Sequence, residues 1–304
     1  MRVVLEEESL RDGLQAENRL FSLTEKMEIV RLLAEAGVRR VQLGSFVSPR
    51  SVPQVANTDV LVSLVRRQYP DILCTALVLN EKGLERAARS GLGHLSMSAS
   101  VSDSHSRTNT GRSTAEALEA MTGLITRAVA GGIRVRAGLQ CAFGCAEEGV
   151  IAENTVLEAV ARMVEAGAQE INLADTAGMA GPLQIKRLVG LVRTAHPQVE
   201  LSLHCHDTWG MGLVNLYAGY EAGVRIFDVA AGGLGGCPCI EGAGGNVATE
   251  EALHLFNGMG IETGIDLGRY WQVVRHFETL LERRLPGRMR SLPREPGGTA
   301  APRC

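Results

Sequence analysis

The chain has 304 residues, 45% hydrophobic and 21% charged, with a formal net charge of −3; this excludes disorder, coiled coil and collagen and leaves room for a full core. Its 31 basic and 34 acidic residues are interspersed, which gives no footprint for nucleic acid, and no stretch approaches the roughly 18 apolar residues of a membrane span. Met1-Arg2-Val3-Val4-Leu5 followed by three glutamates is not a signal peptide, and seven cysteines without one read as free thiols, so a cytoplasmic protein is expected.

A first strand near residues 2–8 runs into Glu7-Glu8-Ser9 and then Arg11-Asp12-Gly13. A helix near 24–36 follows, then Gly37 and a strand near 39–46. The pattern repeats: helix 54–68 and strand 71–79, helix 81–90 and strand 94–101, helix 113–130 and strand 133–141, helix 153–166 and strand 169–175. It closes with helix 182–195 and strand 199–206, helix 211–222 and strand 225–232, and a further helix near 248–259. At five junctions an Ala/Glu-rich stretch meets glycine and then a β-branched run: at Gly37, Gly91, Gly131-Gly132, Gly167 and Gly223. Such a glycine ends a helix in the left-handed conformation and starts the loop to the next strand.

Eight alternating units in about 250 residues predict a closed (β/α)8 TIM barrel of the α/β class, a single domain over residues 1–284 with a C-terminal helical extension. The rival, an open doubly wound sheet, would carry a G-x-G-x-x-G turn after its first strand, where this chain has Ser9-Leu10-Arg11-Asp12-Gly13. The Arg-, Pro- and Gly-rich segment 285–304 has no apolar period and is expected to be a disordered tail.

In such a barrel the active site lies at the C-terminal strand ends. His204 and His206 are two apart on a predicted strand, so their rings share a face and point into the mouth if Ser202 does. Asp12 is the natural third donor. Imidazole and oxygen ligands suit Mg²⁺ or Mn²⁺, with zinc also open. The C-x3-C pair Cys141 and Cys145 and the C-x-C pair Cys237 and Cys239 offer a competing zinc–thiolate reading, but C-x-C inside a glycine-rich loop is a poor clamp. A loop that carries a thiol over the mouth fits those glycines better.

Leu10-Arg11-Asp12-Gly13-Leu14-Gln15, Ser45-Phe46-Val47-Ser48-Pro49, Asp175-Thr176, His204-Cys205-His206-Asp207-Thr208, and Gly233 to Pro238 followed by Gly245-Asn246-Val247-Ala248-Thr249-Glu250 resemble the 3-hydroxy-3-methylglutaryl-CoA lyase family over about residues 3–280. The resemblance implies a divalent-metal-dependent carbon–carbon lyase that cleaves a 3-hydroxy-3-substituted acyl-CoA to an acyl-CoA and a keto acid or ketone. It implies metal ligands at Asp12, His204, His206 and Asn246, a catalytic arginine at Arg11, a mobile-loop cysteine at Cys237, and substrate-binding groups at Gln15, Ser45, Asn109, Asp175 and Glu250. Arg11 would neutralise the enolate, His204 or Asp12 would act as base and Cys237 as acid; family habit adds a homodimer. One position departs: where the family places an acidic residue, this chain has Gln42, which leaves Arg11 freer or held by Glu7. Two further readings stay open. One is a condensing aldolase or Claisen-type enzyme acting on another acyl or carrier-bound substrate or a free hydroxy acid; the other is a metal-binding barrel without catalysis.

Overall fold

Short β-branched runs, each buried on both faces, cannot stand as isolated hairpins, and here they pair in parallel with the helices outside. The computed structural model describes residues 2–236 and 245–291. In chain order the elements are β1 (Val4–Glu7), α1 (Leu23–Ala36), β2 (Arg40–Ser45), α2 (Thr58–Gln68), β3 (Leu73–Leu77), α3 (Glu81–Arg89) and β4 (His94–Ser100). Then come α4 (Asp103–Thr110), α5 (Thr114–Ala130), β5 (Arg134–Gln140), α6 (Glu153–Glu165), β6 (Glu170–Asp175), α7 (Pro182–Ala195) and β7 (Glu200–Cys205). The last are α8 (Gly212–Glu221), β8 (Ile226–Val229), α9 (Thr249–Gly258) and α10 (Leu267–Leu281). The strands close in sequence order, β8 pairing with β1 through Val4 opposite Ile226 and Glu6 opposite Asp228.

Local signals set the element ends. Ser22 with Glu25 and Ser113 with Glu116 form capping boxes that start α1 and α5. At the five predicted junctions Gly37, Gly91, Gly132, Gly167 and Gly223 all have positive φ. The polar α4 was not read from the sequence as a separate element; the predicted C-terminal helical extension is α10, whose Tyr270, Val273, Val274 and Phe277 are buried as it packs on α1. Emptying one such site, Phe277→Ala, costs about 3–5 kcal/mol.

The predicted boundary at residue 285 moves. Leu285 is 1% exposed and sits over Gly232, Gly287 N–H donates to Gly232 carbonyl at 2.8 Å, and a 3-10 turn spans Arg288–Ser291. Single anchoring contacts have no periodicity, so composition could not reveal them. Residues 292–304 lie outside the described residues. None of the helices among the described residues is long and apolar enough to cross a membrane.

Candidate active site

Strand parity decides which side chains meet in the barrel. From β1 onward Glu6 and Glu8 face the axis, where Thr75 Oγ1 donates to Glu6 at 2.6 Å and Arg40 Nε lies 2.6 Å from it. Arg136, 2% exposed, reaches Glu6, Glu8, Glu170 and Asp228 from one buried guanidinium, and Arg40 Nη2 pairs with Glu170 at 2.8 Å. Burial works against Arg136's charge, but the four carboxylates raise its pKa well above the ordinary value. These residues form the floor of the site.

Above the floor, the chain leaves β1 in a single π-type turn, Ser9–Gly13, closed by Gly13 N–H to the Glu8 carbonyl at 3.2 Å. The turn brings Arg11 and Asp12 over the barrel mouth. Arg11 donates through Nη1 to Asp12, through Nη2 to Glu8 and through Nε to Gln42 Oε1. Gln42 completes the circuit by donating its amide N–H to Glu8 Oε1 at 2.9 Å. An amide can accept from Arg11 and donate to Glu8 at once; a carboxylate at this position could only accept. The expectation that Arg11 is freer, or held by Glu7, is therefore corrected. Glu7 has the opposite parity and points outward, to Ser9, Thr249 and Tyr270 of α10.

On β7, Ser202 does face inward, since its hydroxyl accepts from Asn172 Nδ2 at 3.0 Å, and Asn172 also donates to Asp228 at 3.2 Å. His204 and His206 follow on the same face with ring centroids 5.0 Å apart. His204 Nδ1 lies 3.1 Å from Asp228 Oδ2, and His206 Nε2 lies 3.9 Å from Asp12 Oδ2. Residue 246 pairs with residue 206 in an antiparallel bridge, so Asn246 stands beside the histidines and donates to Asp12 Oδ2 at 2.7 Å and to the Leu234 carbonyl at 3.0 Å. Gly235 makes this approach possible: its φ is +95°, and a Cβ there would lie 2.6 Å from Asn246 Nδ2.

One donor atom from each of Asp12, His204 and His206 falls within 4.8 Å of the others, and Glu8, His204 and Asp228 form a second such group. In the second group Asp228 is already engaged by Arg136. His206 Nδ1 in the first group, Asn246 Oδ1 beside it and Asp228 Oδ1 in the second are buried without a hydrogen-bond partner among the described residues. Free lone pairs on buried atoms call for a cation or donor. Charge points the same way. In the barrel interior Glu6, Glu8, Asp12, Glu170 and Asp228 face Arg11, Arg40 and Arg136, an excess of two carboxylates that a divalent cation would balance. Without one, burial and the nearby Asp228 push Glu8 up to about 7 despite Arg11 and Arg136. Burial, with the neighbouring His204, lowers His206 to about 4, which keeps it a neutral ligand at pH 7. Burial also opposes the charge on Asp12, yet Arg11, His204, His206 and Asn246 together hold it well below the usual carboxylate range.

The remaining predicted residues are spread around this cluster. Asp175 is buried and accepts from the backbone N–H of Met179 at 2.9 Å and of Ala180 at 3.1 Å, so both oxygens hold the loop after β6; burial raises it to about 6. Glu250 is fully buried and accepts from Gly232 N–H at 3.0 Å. Ser45 Oγ donates to the Leu77 carbonyl at 3.3 Å, while Gln15 and Asn109 stand exposed. Cys237 and Cys239 lie outside the described residues. The sequence reading missed Glu8, Arg136, Asp228 and Asn172; the signal available was a charged or polar residue repeated at every second position of an otherwise β-branched strand.

A family model described as HMGL-like matches residues 2–276. The chain belongs to this family. It is 40% identical to the hydroxymethylglutaryl-CoA lyase of Pseudomonas mevalonii, covering 86% of this chain and 87% of that one. It is 38% identical to the (R)-citramalyl-CoA lyase of Chloroflexus aurantiacus, covering 91% and 90%. A solved HMG-CoA lyase from Acinetobacter baumannii, in complex with coenzyme A and 3-methylmalate, superposes with a TM-score of 0.90 at 35% identity, covering 99% of this chain and 98% of that one. This HMGL-like protein is accordingly a carbon–carbon lyase on a TIM barrel.

Proposed function

We propose that this lyase cleaves a 3-hydroxy-3-substituted acyl-CoA at the mouth described above, with a divalent cation, Mg²⁺ or Mn²⁺, held by Asp12, His204, His206 and Asn246. The observation that carries the reading is the two-carboxylate excess beneath the orphaned His206 Nδ1 and Asn246 Oδ1. A cation bound there supplies Lewis-acid polarisation of the substrate's hydroxyl and a neighbouring oxygen.

The protein's own groups do the rest. His204, with Nδ1 on Asp228 and its other nitrogen toward the cation, would have no free lone pair, so Asp12, which its neighbours hold deprotonated and which has a second carboxylate oxygen, is the acceptor for the hydroxyl proton. As that proton leaves, the carbon–oxygen bond becomes a ketone, the adjacent carbon–carbon bond breaks, and its electron pair passes to the acyl-CoA fragment as an enolate. Arg11 is aimed to meet the new charge. Three of its N–H groups are fixed by Asp12, Glu8 and Gln42, the other two have no partner among the described residues, and its side chain is 15% exposed. A donor already oriented costs no reorganisation during reaction. Cys237 returns a proton to the enolate carbon, and the protein works as a cytoplasmic homodimer.

The relatives act on different acyl groups by name, and Gln42 marks a substrate other than 3-hydroxy-3-methylglutaryl-CoA. In this reading a carboxylate at position 42 would face Glu8 without a proton to share and would repel an acidic substrate. The test is an assay of wild type and Gln42→Glu, in both reaction directions, against hydroxymethylglutaryl-CoA, citramalyl-CoA, other acyl-CoA thioesters and free hydroxy acids with Mg²⁺ or Mn²⁺. Wild type should be fastest on another thioester, and Gln42→Glu should slow that reaction. A large rise in hydroxymethylglutaryl-CoA cleavage by Gln42→Glu, with no better substrate for wild type, would overturn the Gln42 assignment. Full turnover of a metal-stripped preparation in chelator would sink the metal site.

A further inference from the structure

The barrel interior is filled unevenly. Met97, Ala99, Leu139 and Leu173, which face outward from β4, β5 and β6, are at most 4% exposed under the helices. Inside, register fixes which side chains meet: Ser96 stands opposite Arg136, Ser98 opposite Gly138, and Gly138 opposite Asn172. Arg136 and Asn172 both reach Asp228 across the barrel, so Ser96, Ser98 and Gly138 face the axis with them. Leu77, opposite Ser96, and Ala174, opposite His204, share that facing. A (β/α)8 interior is ordinarily packed with layers of bulky branched side chains. Between β3 and β6 this one holds serines, a glycine and an alanine, and a Cβ on Gly138 would meet Ser98 Cβ at 3.3 Å and Asn172 Oδ1 at 3.7 Å.

Solvent follows the same division. On the side of β1, β2 and β8, Glu8 and Gln42 are fully buried and Asp228 is 1% exposed. On the other side Leu77 and Ser98 are half-buried, and even Ser96 is 8% and Asn172 6% exposed. Ser96 and Asn172 each lie two residues, about 6.6 Å, below Ser98 and Ala174 on their strands. A chamber therefore descends from the mouth beside His204, whose register partner is Ala174, to the Arg136 floor. Its polar groups are uncharged and open. The hydroxyls of Ser96 and Ser98 have no partner among the described residues, and Asn172, which donates to Ser202 and Asp228, leaves Oδ1 free toward Gly138.

We propose, on the lyase reading given above, that this chamber takes the substituent on the hydroxyl-bearing carbon of the substrate and selects one that is uncharged, longer than methyl and ends in a hydroxyl. The thioester arm is excluded, because coenzyme A is far too large for a space closed below by Arg136 and its carboxylates. A methyl group held beside His204 cannot span the depth to Ser96 and Asn172. A charged end is disfavoured as well: Arg136 is already shared by Glu6, Glu8, Glu170 and Asp228, so a carboxylate there would be buried without a free cation. A hydroxyl can donate to Asn172 Oδ1 and accept from Ser96 or Ser98, which meets both kinds of open group at once.

The test is the order of kcat/KM for full-length protein on three thioesters of one series, 3-hydroxy-3-R-glutaryl-CoA with R methyl, propyl or 2-hydroxyethyl, with Mg²⁺ or Mn²⁺. Wild type should prefer propyl to methyl, and should prefer 2-hydroxyethyl to propyl, its match in length, by about tenfold, the value of a buried hydrogen bond. Ser98→Leu fills the chamber and should move the propyl-to-methyl ratio toward methyl by at least about tenfold. Ser98→Ala should keep propyl ahead of methyl and cut the preference for 2-hydroxyethyl over propyl severalfold. Each readout is a ratio between substrates, so partial unfolding of a variant cancels, and the wild-type order decides if neither variant folds. Cleavage that favours methyl, or is indifferent to R, overturns the chamber and leaves the lyase reading standing. Equal values for propyl and 2-hydroxyethyl overturn the hydrogen-bonding end. Cleavage of none of the three strikes the substrate reading itself, and the chamber falls with it.

Discussion

The floor of the barrel interior and its mouth are made of the same residue types, arginines and carboxylates on neighbouring strands, and differ in how their charges close. On the floor Glu6 and Glu170 are matched by Arg40 and Arg136, and the guanidinium nitrogens face carboxylates on both sides. At the mouth Arg11 pairs with Glu8 and Asp12 while Arg136 reaches Glu8 and Asp228 from below, so two guanidiniums face three carboxylates, and His206 Nδ1 and Asn246 Oδ1 have no partner among the described residues. A closed network is a structural element, because a buried ion pair that is complete gives little room for chemistry and is costly to break. An open one is where the proposed function places the cation and the substrate. Residue identity does not separate the two; the balance of cations against carboxylates does.

The sharpest way to break this comparison is to open the floor. Arg136→Met should leave Glu6, Glu8, Glu170 and Asp228 short of their shared cation and destabilise the fold by about 3–5 kcal/mol, measured by urea unfolding. A loss below about 1 kcal/mol would mean that the floor is not a closed ionic network.

At the mouth the expected loss lies in ligand response. Mn²⁺ at a hundredfold excess over its Kd should stabilise wild type by about 2.7 kcal/mol, and His206→Ala should remain folded but lose most of this gain along with turnover. Equal metal-induced shifts in the melting temperature of both proteins would contradict a ligand role for His206.

A smaller effect is expected behind the mouth, at Glu250. Burial, aggravated by Glu251 and Glu7, raises its carboxyl from 4.5 to about 7 against the hydrogen bond from Gly232. The folded state therefore holds a proton that the unfolded state has lost, so the contribution of Glu250 to stability falls as pH rises from 4.5 to 7 and is flat above. Glu250→Gln should remove that slope and gain about 3 kcal/mol relative to wild type at pH 8 over its value at pH 4.5. Parallel stability curves across this range would show that Glu250 is not a buried, proton-holding group.

The smallest change sharpens the geometry. Gly235→Ala places a methyl against Asn246 in a left-handed backbone, at a cost of about 1 kcal/mol. It should weaken Mn²⁺ binding out of proportion to that loss, as read by metal titration against the melting curve; unchanged affinity would remove Asn246 from the ligand set.

The barrel itself was legible in the chain because its signals are local. A glycine that must take positive φ after an amphipathic stretch marks a helix end wherever it stands, and Gly37, Gly91, Gly167 and Gly223 do so here. His204 and His206 were legible for a similar reason, since a two-residue spacing fixes a shared face on any strand. Other features needed closure of the sheet. Arg136 and Asp228 are 92 positions apart, and nothing in either strand says that one guanidinium would serve both that carboxylate and Glu6. Glu7 and Glu8 are adjacent and chemically alike; only the parity of β1 in the closed barrel sends Glu8 to Arg11 and Glu7 outward to Tyr270 on α10. Sequence by itself thus determined the alternation of strands and helices, their order and the histidine pair, because backbone conformation and side-chain period are settled within a few residues. Tertiary structure alone decided which charges are closed and which are open, because the electrostatic balance of a buried group depends on every element that reaches it.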